Sequence, residues 1–156
     1  MIKRKQSEKE RRESMENSRE QARSGAEFVR QFFPTSPYVT HLGMQLTDIQ
    51  PGLAVLTLPF ASSLITIGNI VHGGAIASLI DTAAMVAAWS NAEVSATTRG
   101  TTVALTVNYL AAAQKEDIQA TARVLRRGRS LVYLDVEVKG ASGTLVAKGL
   151  VTYKLG

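Results

Sequence analysis

The sequence predicts an α+β domain in which an antiparallel sheet wraps around one long helix. Three observations lead there. An apolar run from Val71 to Trp89 opens with Gly73 and Gly74 and carries a single charge, Asp81. Two strand-like segments precede it, and four more follow it in hairpin order.

Taken in order, Gly25 to Phe33 is amphipathic, with Phe28, Val29, Phe32 and Phe33 on one side. Pro34 and Pro37 stop it, which predicts a docking helix. Strands are expected at Met44 to Ile49 and Leu53 to Leu58, joined by a Pro51-Gly52 turn and closed by Pro59. Phe60 to Ile70 reads as a loop feeding the apolar helix. Beyond Asn91 the strand-like runs are Thr101 to Tyr109, Ile118 to Arg127, Leu131 to Lys139 and Thr144 to Tyr153. Turns at Gln114 to Glu116, at Gly128 and at Gly140 to Gly143 separate them. In the third run Val132, Leu134, Val136 and Val138 alternate with Tyr133, Asp135, Glu137 and Lys139, the pattern of a half-buried antiparallel strand. The expected division is a charged extension with its docking helix over 1–33 and a folded domain over 34–156.

The 156 residues suit one core, and 45% apolar residues is ordinary for a globular chain. With no cysteine, disulfides, thiolate metal sites and a cysteine nucleophile are excluded, and with no secretory signal a cytoplasmic location is expected. His41 and His72 are the only histidines, so a histidine-rich metal centre is excluded as well. The apolar run is long enough to span a membrane. Its glycines, His72 and central Asp81, with strands on both sides, argue against insertion. The net charge of +5 is spread unevenly: residues 1–30 hold nine Lys and Arg against six Glu, and the remainder nine against seven acids. In the tail Glu8 with Arg12 and Glu16 with Arg19 fall at helical spacings, which reads as a solvated extension rather than a nucleic-acid-binding arm.

The chemistry concentrates in the apolar run. A carboxylate kept in an apolar helix costs roughly several kcal/mol in desolvation, which suggests that the chain uses it. Gly73 and Gly74 open the helix, where amides lack intrahelical partners, the dipole favours negative charge and a ligand can approach the backbone. Asp81 follows His72 by nine positions. At about 100° per residue that is two and a half turns, on opposite faces and about 13 Å apart along the axis. Serving one substrate together requires a second helix lying antiparallel beside the first. A homodimer with two composite sites, Asp81 of one subunit facing Gly73 of the other, is therefore expected.

The segment Asn69 to Ala84, the strand Thr106-Val107-Asn108-Tyr109-Leu110 and the turn Arg126-Arg127-Gly128-Arg129 together resemble the hotdog-fold acyl-CoA thioesterases of the phenylacetate-degradation type. The resemblance runs from Gly43 to Tyr153, and the combination of His-Gly-Gly, an aspartate nine positions on and a downstream Asn-Tyr-Leu is far more specific than any one part. It implies a hotdog fold, a dimer that often assembles further into a tetramer, and hydrolysis of an acyl-CoA without metal or redox cofactor. It implies that Asp81 attacks the thioester or activates water, that the Gly73 amide, with Gly74, polarises the carbonyl, and that His72 fixes the helix start. Thr102 falls where relatives orient the attacking water. Asn69, Gly74 and Val103 are implied on the substrate, and Arg126, Arg127, Gly128 and Arg129, with Arg123 nearby, at the CoA nucleotide, whose phosphates guanidinium groups bind in forks.

Local chemistry alone leaves structural alternatives for each residue: a paired Asp81, a closely packed glycine helix start, a hydrogen-bonded His72, a Thr102 chosen for β-propensity, and a solvated arginine turn. One departure from some relatives is Thr66 where they carry an asparagine six positions before the histidine; Asn69 is the candidate replacement. A dehydratase on this fold would need a histidine and an acid together over the acyl chain, and the only spare histidine, His41, precedes the first strand. The main alternative is a non-catalytic acyl-CoA-binding module.

Overall fold

The computed structural model describes residues 23–156; the charge pattern expected of the first 22 lies outside the described residues. A short strand β1 (Arg23–Ser24) leads into helix α1 (Gly25–Phe32), a single 3₁₀ turn and helix α2 (Pro37–Leu42). Then come β2 (Gln45–Gln50), β3 (Leu53–Leu58), the central helix α3 (Gly73–Ser90), a short β4 (Glu93–Val94), and the long strands β5 (Gly100–Tyr109), β6 (Ile118–Arg127), β7 (Leu131–Gly140) and β8 (Leu145–Leu155). The six long strands form one antiparallel sheet in the order β2-β3-β6-β7-β8-β5, and β1 pairs with β4.

This is the layout expected from the sequence, with α3 against one face of the sheet. Leu79, Ile80, Ala83 and Val86 of the helix are buried against Leu56, Ala120, Ala122, Leu134, Val136 and Val151 of the strands. Burying each large aliphatic side chain contributes about 1.5–3 kcal/mol, so this layer dominates the stability of the domain. The approach is closest at β8. A Cβ on Gly149 would lie 2.5 Å from Ile80 Cγ2, so only glycine lets the helix settle there. Strand β7 buries Val132, Leu134, Val136 and Val138, as their alternation predicts.

The docking helix is present as α1: Val29 is buried and the Phe28 ring stacks on Trp89 with centroids 4.9 Å apart. Helix α2 departs from the expectation. The sequence pattern makes Pro37 a stop, but a proline whose φ is already helical also suits the first turn of the next helix. It occupies that place, and Gly43 at φ 73° closes the helix in the left-handed conformation.

Helix α3 is 18 residues long and apolar enough to cross a membrane by length and composition, yet most of it is buried against the sheet and α1. One stripe stays incompletely covered: Gly74, Ser78, Asp81 and Met85, spaced four, three and four residues apart. Such spacing traces one side of a helix. At the sheet edge, β5 has no outer neighbour among the described residues, and Val103, Leu105 and Tyr109 are among its exposed residues.

Candidate active site

His72 precedes the first turn of α3 in an extended conformation, and its Nδ1 accepts the Gly74 N–H at 2.8 Å. An accepting Nδ1 carries no proton, so this hydrogen bond assigns the ring proton to Nε2. The His72 carbonyl accepts the N–H groups of Ala75 at 2.9 Å and Ile76 at 3.2 Å. The first-turn amides of Gly74, Ala75 and Ile76 are thus satisfied by one residue. Among the described residues the Gly73 N–H has no acceptor. Four such amides open every helix, and here the sequence leaves a single one for a ligand.

Gly73 lies on the wall of a groove of about 400 Å³ whose other walls include Thr66, Ile70, Val71, Ile76, Tyr109 and the segment from Leu110 to Ala113. The Tyr109 hydroxyl donates to the Gly73 carbonyl at 3.0 Å. Thr66 therefore occupies the groove wall, whereas Asn69 stands beside it, exposed and left-handed at φ 63°, a conformation that asparagine tolerates better than most residues. The Asn69 carbonyl accepts the Lys115 N–H at 2.9 Å, which ties the loop before α3 to the end of the connection after β5.

Asp81 sits two turns further along α3, half-buried on the incompletely covered stripe. Thr102 Oγ1 of β5 donates to its Oδ1 at 2.6 Å. The sequence resemblance puts these two residues in one site, and they meet within a single protomer. Gly73 is eight residues from Asp81, about 12 Å along the helix axis at 1.5 Å per residue. One protomer consequently does not bring the carboxylate and the unpaired amide to a common point.

Behind Thr102, its cross-strand partner on β8 is Tyr153, a buried phenol that accepts the Trp89 Nε1–H at 2.9 Å. Burial pushes the Tyr153 hydroxyl above its usual value, the indole hydrogen bond partly opposes this, and the Asp81 charge adds to the rise. Tyr153 does not stand out in the sequence, and Tyr109 does so only within the Asn-Tyr-Leu motif, with no role of its own.

The arginine turn divides. Arg126, Arg127, Gly128 and Arg129 are all exposed at the end of β6. Of these only the Arg127 guanidinium, among the described residues, donates to the Ala88 carbonyl near the C-terminus of α3, where a cation complements the helix dipole. Desolvation there lowers its pKa from the ordinary value. Val103, expected on the substrate, is an extra residue in β5: the register passes from Thr102 opposite Tyr153 to Ala104 opposite Thr152.

Comparison with known proteins adds the family. The thioesterase superfamily model matches residues 68–147, which include Gly73, Asp81, Thr102 and the arginine turn. The chain belongs to the thioesterase superfamily. It is 30% identical over 135 residues to the medium/long-chain acyl-CoA thioesterase YigI of Escherichia coli K12, spanning 77% of this chain and 86% of that protein. A thioesterase family protein from Silicibacter pomeroyi superposes with a TM-score of 0.77 at 25% identity, covering 84% of this chain and 97% of the other. The E. coli PaaI protein from the phenylacetic acid degradation operon shares the fold at a TM-score of 0.76 and 21% identity, over 84% of this chain and 92% of that one. The fold is the hotdog fold, as the sequence motifs implied.

Proposed function

We propose that this thioesterase-superfamily protein hydrolyses an acyl-CoA to the free acid and CoA at two composite sites of a homodimer. The observation that carries the reading is on α3: an amide at Gly73 with no acceptor among the described residues, and a carboxylate braced by Thr102 at Asp81. These are the two groups that acyl transfer to water requires, an electrophilic brace for the carbonyl oxygen and a base for the attacking water.

In this reading the thioester carbonyl oxygen lies against the Gly73 N–H of one subunit, and water sits by Asp81 of the other. Thr102 holds Oδ1, so Oδ2 takes the proton as the water oxygen bonds to the carbonyl carbon. Negative charge moves onto the carbonyl oxygen at the Gly73 amide and the positive end of the helix dipole. When the tetrahedral carbon collapses, the C–S bond breaks and the CoA thiolate recovers the proton from Asp81. His72 acts by holding the first turn open at Gly73 rather than by transferring a proton.

Two features support the dimer. The half-covered stripe through Gly74, Ser78, Asp81 and Met85 fits a second α3 lying antiparallel, which brings Asp81 of each subunit toward Gly73 of the other. The edge strand β5 offers backbone groups unpaired among the described residues, and exposed Val103 and Leu105, to an identical strand across a two-fold axis. The exposed outer sheet face at Tyr133 and Leu150 suits pairing of two dimers. Arg126, Gly128 and Arg129, exposed at the rim, are the residues proposed for the CoA phosphates, with Asn69, Gly74 and Val103 beside the pantetheine arm. The chemistry needs no metal and no cofactor besides the CoA that the substrate carries.

The test is thiol release over short, medium, long and aryl acyl-CoAs. Turnover of at least one class is expected. Binding of acyl-CoA with no turnover of any class would replace the enzyme with a binding module.

A further inference from the structure

Tyr109 is more than half exposed, at 54%, yet its ring does not move freely. At one end its backbone is paired with Ala147 of β8. At the other its hydroxyl donates to the Gly73 carbonyl at 3.0 Å. Between them the ring lies on the glycine itself: a Cβ at residue 73 would sit 3.3 Å from Tyr109 Cε1 and 3.4 Å from Cζ. The residue that carries the unpaired amide is thus in contact with an aromatic wall fixed at both ends, and that wall bounds the groove of about 400 Å³.

Apart from the Thr66 hydroxyl, the side chains of the rest of the groove are apolar. Ile70, Val71, Ile76 and Leu110 supply its bulk, Ala111 to Ala113 leave room, and none of the lining residues carries a charged side chain. In the proposed thioesterase reading, a thioester carbonyl held at the Gly73 amide leaves the groove beside the Tyr109 ring for its acyl chain. A chain that enters must shed water, which favours apolar groups and disfavours a carboxylate that would find no partner.

We propose that Tyr109 is the specificity-determining residue of this groove: its ring, locked onto Gly73, sets the bulk of the uncharged acyl group accepted next to the thioester. This inference rests on the thioesterase reading and adds to it the acyl class and the residue that limits it. The hydroxyl and the ring have separable roles. The hydroxyl fixes the wall and the first helical residue; the ring fills space.

The experiment uses the full chain and measures kcat and KM over a saturated acyl-CoA series from two carbons upward, together with an ω-carboxylated acyl-CoA of matched length. Tyr109→Ala is expected to move the profile toward longer or bulkier acyl groups, changing the ratio of kcat/KM for the bulkiest against the smallest substrate by about tenfold or more, the scale of one or two methylenes in an apolar pocket. Tyr109→Phe keeps the ring and is expected to keep the profile while lowering kcat across it. The ω-carboxylated substrate is expected to be at least about tenfold poorer than its uncharged counterpart in the parent. A profile unchanged by Tyr109→Ala, or equal use of the carboxylated substrate, overturns the proposal. If the alanine variant fails to fold, Tyr109→Leu replaces it with the same expectation. If the parent turns over no acyl-CoA, the thioesterase reading fails by itself, and the same series read as Kd decides the groove: a shift with Tyr109→Ala supports the assignment and an unchanged series overturns it.

Discussion

Thr102 and Tyr109 stand seven residues apart on β5, and both hydrogen-bond to α3, Thr102 to the Asp81 carboxylate and Tyr109 to the Gly73 carbonyl. In a regular strand an odd separation puts two side chains on opposite faces. The extra residue at Val103 shifts the alternation by one, so both side chains face the helix. A single bulge thereby lets one strand brace the carboxylate and the first residue of the helix together.

That relationship predicts the effect of changing Thr102. Thr102→Val keeps the shape and removes the hydroxyl, and a hydrogen bond to a charged group contributes about 1.5–3 kcal/mol, so kcat should fall roughly tenfold to a hundredfold with KM little changed. Thr102→Ser should retain most of the parental kcat. Steady-state kinetics of the two variants checks this; a parental kcat in Thr102→Val would mean that the hydroxyl does not matter, and a loss in Thr102→Ser equal to that in Thr102→Val would mean that the methyl group matters as much.

The arginines at the turn should separate by role. Arg126→Ala and Arg129→Ala together should raise KM for acyl-CoA and weaken its salt dependence, while a small thioester without the nucleotide is used as before. Arg127→Ala should act on the fold instead. It removes the cation that bonds the Ala88 carbonyl at the end of α3, at a cost of about 1 kcal/mol read by denaturant unfolding. A stability unchanged by Arg127→Ala would count against that role.

The composite site can be tested by mixing two inactive chains. Asp81→Asn lacks the base, and Gly73→Val places a side chain against Tyr109 where the amide must be approached. When the two are co-expressed, half the dimers are mixed and one of their two sites has both native groups, so about a quarter of the parental activity should return. If base and amide instead acted within one protomer, the mixture would stay inactive.

The sequence made the long elements legible because their signals are local: alternation in β7, the apolar run of α3, the Pro51-Gly52 turn between β2 and β3. Asp81 could be read because a lone charge in an apolar helix costs stability unless it has a task, and its meeting with Thr102 came from the resemblance of the surrounding motifs. What escaped depends on strand register. The bulge at Val103 turns Tyr109 toward Gly73, and a second one between Val124 and Arg126 turns Arg127 rather than Arg126 toward α3. A bulge moves every following side chain to the other face, and nothing in either stretch, a run of threonines or a run of arginines, marks where the extra residue sits. Helix α2 escaped for a different reason: a proline ends one helix and begins another with the same fixed φ.

The central claim is that Asp81 carries the hydrolysis, and the most direct measurement is CoA thiol release by Asp81→Asn beside the parent, with acyl-CoA binding and unfolding followed on the same samples. The substitution is nearly isosteric and leaves Thr102 a hydrogen-bond partner, so binding and fold should be kept while kcat falls by about a hundredfold or more, the scale of a lost general base. Hydrolysis by the asparagine variant at the parental rate on every accepted acyl-CoA would contradict the account and make Asp81 a structural residue.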